Sequence, residues 1–230
     1  MRVLVACEFS GIMRDAFRNR GHDAWSCDLL PTESPGPHYQ GDVLKIMDGW
    51  LPVVFSADCD EDGNCPTCGI DYSECAHPWP TQDDFEFIEI GMEMFARPAD
   101  YPEWDVMIAH PDCTFLTVAN TYLRRGCSKY TAEQAAVYRD AAIAFFMRLA
   151  ESPIAKIAIE NPIGIMSTRW RKPDQIIQPW QFGEDASKAT CLWLKGLPLL
   201  KPTKILDGGR MARRANQTPS GQNKLGPSPK

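Results

Sequence analysis

The chain has 230 residues, 44% hydrophobic and 23% charged, with a formal net charge of −6. That length gives one α/β domain with a packed core and a modest insertion, and the apolar fraction excludes wholesale disorder. No apolar run approaches the roughly 18 residues of a membrane span, and the first residues are not a signal peptide. The nine cysteines therefore read as reduced thiols, metal ligands or catalytic sulfur in a cytoplasmic protein. Charge is unevenly spread. Residues 156–230 carry 13 Lys/Arg against 5 Asp/Glu, whereas residues 1–155 carry 11 against 25, with 14 carboxylates over 58–105. Such asymmetry either steers a polyanion to one face or is a solvated surface with an acidic loop.

In chain order, residues 2–6 are a short apolar run and read as a buried first strand. Cys7-Glu8-Phe9-Ser10-Gly11 follows as a turn, with Ser10 placed to cap a helix over residues 12–20 that Gly21 ends. Residues 23–27 predict a second strand, ending at Asp28. A strand–turn–helix–strand unit of this kind suits a nucleotide-type ligand: the turn lets backbone approach it, and the second-strand acid binds ribose hydroxyls. One glycine in the turn is too few for a dinucleotide fingerprint, which argues against NAD. Gly41-Asp42-Val43-Leu44 reads as a third strand edge with another acid at its mouth. Residues 104–109 are a fourth strand running into His110-Pro111-Asp112-Cys113, and Thr131-Ala-Glu-Gln134 is a capping box that opens a long amphipathic helix. Residues 154–159 are a fifth strand, ending at Glu160-Asn161-Pro162. The alternation predicts an open parallel sheet with helices on both faces, binding its ligand at the strand C-termini. The domain is expected over 1–200, with an insertion over 56–83 and a basic, poorly ordered tail over 201–230.

Cys113 follows one strand end and Glu160 follows the next. A sulfur nucleophile and a carboxyl that protonates the electrophile form a coherent pair for covalent catalysis, although Asp112 beside the thiol raises its pKa.

On these residues the chain resembles the DNA cytosine-5 methyltransferases, especially their short phage and prophage forms. Phe9-Ser10-Gly11 looks like the family's first motif, which contacts S-adenosylmethionine. Asp28 matches the acid that holds the cofactor ribose, and Asp42 the acid that contacts adenine. His110-Pro111-Asp112-Cys113 resembles the Pro-Cys nucleophile loop, with His110 and Pro111 beside the cofactor. Glu160-Asn161-Pro162 resembles the Glu-Asn-Val motif, with Asn161 and Pro162 on the substrate side. Lys188 stands in the region of a basic substrate contact. The resemblance implies a Rossmann-like methyltransferase sheet and methyl transfer to C5 of cytosine in DNA. Cys113 would attack C6 and Glu160 would engage N3, on a base flipped out or presented single-stranded. The chain departs from the family pattern where Asp112 replaces the proline directly before the cysteine. The stretch after Glu160 is short for a target-recognition region, so low or unusual sequence specificity is expected. Two alternatives stay open: modification of a pyrimidine in a nucleotide or RNA, and an inactive relative that binds DNA.

The insertion carries its own signal. Cys59, Cys65, Cys68, Cys75 and His77 lie close together around a CxxC pair, and four of them suffice for a tetrahedral structural zinc site. Asp58, Asp60 and Asp62 imitate the start of a calcium loop, but Gly69 stands where a bidentate acid is required. Arg124-Arg125, Arg169 to Lys172 and Arg210 to Arg214 are available for phosphates, with Trp170 or Trp180 for stacking. The sequence does not fix the oligomeric state.

Overall fold

The computed structural model describes residues 1–47, 51–52, 85–90, 93–98, 104–120 and 126–206. The chain runs β1 (Arg2–Ala6), α1 (Ile12–Arg18), β2 (Asp23–Asp28), β3 (His38–Gln40), β4 (Leu51–Pro52), β5 (Phe85–Ile90), β6 (Glu93–Pro98) and β7 (Val106–Ala109). It continues with α2 (Ala132–Ala150), β8 (Lys156–Pro162), α3 (Met166–Arg169), β9 (Gln175–Ile177) and β10 (Thr190–Lys195). Seven strands form one sheet in the order β3-β2-β1-β7-β8-β10-β9. The first five are mutually parallel, and β10 runs antiparallel to both its neighbours. A separate three-stranded antiparallel sheet has the order β4-β6-β5.

The five parallel strands match the expected α/β architecture, and period-two alternation along β1 explains its layers. Val3 and Val5 join Ala24 and Val106 on one face, where Met13 and Phe17 of α1 cover them. Leu4 and Ala6 point the other way, into the larger core that holds Met107, Ile157, Ile159 and Trp193, with Phe146 and Leu149 of α2. The described helices therefore lie on both faces. The chain leaves β1 toward β2 on one side and later returns to β7 on the other. That reversal opens a crevice outside the C-terminal ends of β1 and β7, where open α/β sheets place ligands.

The capping box at Thr131 forms as expected, its hydroxyl accepting from the Gln134 amide and the Gln134 side chain accepting from the Thr131 amide. Other details differ from the sequence reading. The helix N-cap is Gly11 rather than Ser10, at φ 76°. A Cβ there would stand 2.5 Å from the Arg14 guanidinium, so backbone sign and side-chain space both demand glycine. The third strand is His38–Gln40, just before the expected edge; residues Val43–Lys45 form a 3-10 turn because the Asp42 carboxylate accepts from the Leu44 amide. Strands β9 and β10 had no clear signal. Trp170 is half-buried, packing edge-on against Phe146 at 5.9 Å while the Arg171 guanidinium lies 4.5 Å from its ring centre. Cys59, Cys65, Cys68, Cys75, His77, Arg124, Arg125 and Arg210 to Arg214 lie outside the described residues. Among the described residues, no group of three or more His, Cys, Asp or Glu is placed to hold a metal ion, and no helix is long and apolar enough to cross a membrane.

Arg14 is fully buried and its donors are all used. Nε donates to Asp15, Nη1 to the Ser26 and Thr32 hydroxyls, and Nη2 to the carbonyls of Ser34 and Pro35. One side chain of α1 thus ties down the Pro-rich loop between β2 and β3. The chain of bonds continues from the Ser26 hydroxyl to His38 Nδ1 (2.8 Å), while His38 Nε2 donates to the Leu30 carbonyl. Burial, and then the Arg14 charge, hold the His38 pKa below its ordinary value against the opposing pull of the Leu30 carbonyl, so the ring stays neutral. Arg14→Met leaves five acceptors without their donor, four of them on buried or half-buried residues. It is expected to destabilise the fold by about 3–5 kcal/mol in urea unfolding.

Candidate active site at the strand C-termini

Most of the chemistry-bearing residues in the described sequence gather at the C-terminal edge of the parallel strands. β1 feeds Cys7 and the turn to Gly11, β2 ends at Asp28, β3 leads to Asp42, β7 leads to His110, and Glu160 lies two residues before the end of β8, whereas Lys188 precedes the antiparallel β10. Parallel neighbours in register put His110 directly beside Glu160, since Ala109 pairs with Ile159.

Two cavities open on this edge. One, of about 480 Å³, is lined among others by Cys7, Asp28, Leu29, Asp42, Val43, His110, Asp112 and Phe145. The second, of about 340 Å³, is lined by Cys7, Glu8, Phe9, Ser10, Ile12, Met13 and His110. They meet at Cys7 and His110. The first is within the range of small-molecule sites and combines apolar walls with carboxylates. Asp28 Oδ1 accepts from the Leu30 amide and Asp42 Oδ1 from the Leu44 amide, so each carboxylate is fixed in place, and no hydrogen bond from the described residues engages Oδ2. Apolar walls with anchored hydroxyl acceptors fit a nucleoside. In the second cavity the Ser10 hydroxyl donates to Glu8 Oε1, and Glu8 Oε2 is buried with no hydrogen-bond partner among the described residues.

The Cys113 loop is held by the strand next to it. Asn161 is buried, and its amide donates to the Pro111 carbonyl at 2.8 Å. Past the strand end, the amide of Val118 donates to Ile163 and that of Ile165 to Leu116, with a bridge between Thr117 and Gly164. A Cβ on Gly164 would lie 2.2 Å from the Leu116 carbonyl oxygen, so only glycine permits this approach. Asp112 starts the turn after the loop, its Oδ1 accepting from both the amide and the hydroxyl of Thr114. Asn161 thus positions the loop from within the fold, and Pro162 ends β8 opposite Thr190.

Electrostatics couple the cluster. His110 Nδ1 is 3.3 Å from Glu160 Oε2, and the exposed Lys188 brings its ammonium to 4.0 Å from Glu160 Oε1. Burial alone would raise the Glu160 carboxyl, but the His110 hydrogen bond and the Lys188 charge outweigh it and hold the pKa below its ordinary value. Cys113 moves the opposite way. Burial, then the Asp112 carboxylate, push its thiol up, against a smaller pull from Lys188. Cys7 is pushed up to about 12, by burial first and then by Asp28, Asp42 and Asp112. The resting pair is therefore a protonated thiol on Cys113 and an ionised carboxylate on Glu160.

Sequence reasoning missed Cys7 as the wall shared by both cavities, Phe145 as a lining residue, and Gly164. The signal for the last was a glycine just beyond a strand-end Pro162, opposite a loop it had to approach. Compared with known proteins, the chain matches no protein-family model and no curated protein sequence.

Two predictions follow from this geometry. Asp112→Asn removes the stronger of the two negative charges, Asp112 and Glu160, that raise the Cys113 pKa, so at pH 7.5 the thiolate fraction rises. Iodoacetamide labelling of Cys113, followed by peptide mass spectrometry, is expected to run several-fold faster than in the unsubstituted chain; an unchanged rate contradicts the assignment. Gly164→Ala forces residues 116–118 away from the end of β8. Amide exchange at Val118 and Ile165, which reports those two hydrogen bonds, is expected to accelerate by at least about tenfold while exchange in β1 stays unchanged.

Proposed function

We propose that this chain transfers a methyl group from S-adenosylmethionine to C5 of cytosine in DNA, through a covalent bond between Cys113 and C6. The sequence motifs suggest the reaction, and one observation carries the reading. The loop bearing Cys113 is fastened to the strand bearing Glu160, and that carboxylate connects through His110 to a cavity suited to a nucleoside. The five-strand parallel order supports a Rossmann-like methyltransferase sheet.

The residues present fit the cofactor. Asp28 and Asp42 offer fixed acceptors for hydroxyl and amino groups, Leu29, Val43 and Phe145 offer apolar walls, and Phe9 and Ser10 of the first turn line the adjoining cavity. When bound, the cofactor supplies an electrophilic methyl group on a sulfonium.

The protein's own part is to make C5 nucleophilic. Aromatic C5 is too weak a nucleophile until a thiolate adds at C6 and a proton reaches N3. The resting protonation states suit that exchange. Glu160 accepts the Cys113 proton as sulfur attacks and delivers it to N3, so no charge accumulates on the ring. Asn161 keeps the sulfur in line by holding Pro111, and Lys188 favours the thiolate as it forms. A cytosine stacked in a duplex is out of reach of this edge, so the base is unstacked or single-stranded when it reacts.

The test is transfer of labelled methyl from S-adenosylmethionine to DNA, RNA and dCMP in parallel. Label is expected in DNA, resistant to denaturation and located at cytosine C5. Cys113→Ser is expected to abolish both incorporation and the covalent adduct with 5-fluorocytosine DNA, and Glu160→Gln to slow incorporation by about 100-fold or more. Label in RNA or dCMP alone moves the reaction to that substrate. Label in none, with DNA still bound, leaves an inactive DNA-binding relative and overturns the proposal.

A further inference from the structure

The cavity of about 480 Å³ is acidic as well as apolar. Asp28, Asp42 and Asp112 all line it, and no lysine or arginine stands among its described lining residues. Asp28 ends β2 and Asp42 follows β3, on one side of the crevice, whereas Asp112 follows β7 on the other. All three carboxylates act on the same wall, where each pushes the Cys7 thiol up. Charges around a crevice with apolar walls are less screened than charges on open surface, and together they favour a cation inside it.

Asp112 differs from the other two in its neighbour. It directly precedes Cys113, and its carboxylate raises that thiol as well as the one in the cavity wall. Its Oδ1 accepts from the amide and the hydroxyl of Thr114, which fixes the side chain, and no hydrogen bond from the described residues engages Oδ2. The nearby cation, Lys188, lies 4.0 Å from Glu160 Oε1 and does not line the cavity. At the Cys113 end of the cavity the charge is therefore that of Asp112.

We infer that Asp112 is a specificity-determining residue that reads the positive charge on the methyl donor's sulfur, favouring the sulfonium over the neutral thioether left after transfer. This rests on the methyl-transfer reading, which fixes the direction of the ligand. The methyl group has to reach C5, the atom bonded to the C6 that Cys113 holds. Donor sulfur is thereby brought to the Asp112 side, with the adenosine end toward Asp28 and Asp42. As C5 takes the methyl group, the S–CH3 electron pair stays on sulfur and the positive charge is gone. The attraction to Asp112 ends with it, so the spent ligand leaves more readily than the donor.

The test is calorimetric titration of the full chain with S-adenosylmethionine, S-adenosylhomocysteine and sinefungin. Sinefungin has an ammonium-bearing carbon in place of the methylsulfonium, so it carries the charge without a methyl group to transfer. At about 50 mM salt the two cationic ligands are expected to bind about fivefold or more tightly than S-adenosylhomocysteine, and the gap narrows at about 500 mM. Asp112 is exposed, and Asp112→Asn keeps the Oδ1 acceptor for Thr114, so the substitution removes charge and leaves the loop in place. In that variant the three affinities are expected to agree within about twofold, chiefly because the cationic ligands weaken. Binding of S-adenosylhomocysteine as tightly as the cationic ligands by the unsubstituted chain overturns the inference. So does a gap that Asp112→Asn leaves intact. Both results leave methyl transfer standing, whereas failure of all three ligands to bind removes that reading and this inference with it.

Discussion

The pairing of β7 with β8 does not stop at the edge of the sheet, and the candidate site depends on that continuation. Inside the sheet, ordinary parallel ladders fix the two strands in register. Beyond it, Asn161 holds the Pro111 carbonyl, and amides of the next turn bond across to residues 116–118. A loop that would otherwise sample many conformations is thereby ordered in advance. The same bonds explain why a small residue must stand at position 164. Backbone that approaches this closely leaves no volume for a side chain.

Much of this was legible in the sequence because it depends on short-range patterns. The apolar run of β1, the capping box at Thr131 and the acids closing β2 and β8 declare themselves within a few residues. What could not be read depends on partners far along the chain. Asp42 looked like a strand-end acid, and it is one; yet its carboxylate also caps a 3-10 turn, which shifts the third strand back to His38–Gln40. Arg14 carries no local hint of burial, since the four hydroxyls and carbonyls that receive it lie 12 to 21 residues away. Strand β9 has only three residues, and β10 opens with Thr190 and Cys191, so neither shows a periodicity of its own. Trp170 likewise owes its place to a distant partner, Phe146, which its own basic neighbours do not announce.

The two halves of the sheet edge divide the work by polarity. On the β2–β3 side, anchored carboxylates and apolar walls suit recognition of a neutral, hydroxyl-bearing group. On the β7–β8 side lie a thiol with a raised pKa and an acid with a lowered one, the acid hydrogen-bonded to a histidine that lines the cavity. The two shifts have opposite signs because Asp112 stands beside the thiol, whereas His110 and Lys188 stand beside the carboxylate.

The Cys7 thiol follows from this arrangement in a different sense. A soft nucleophile in the wall of both cavities would capture any alkylating group held there, and the protein would poison itself. With its pKa near 12, only about one molecule in 100,000 carries the thiolate at neutral pH. Burial together with the neighbouring aspartates therefore acts as chemical insulation, keeping this sulfur inert in the wall that both cavities share.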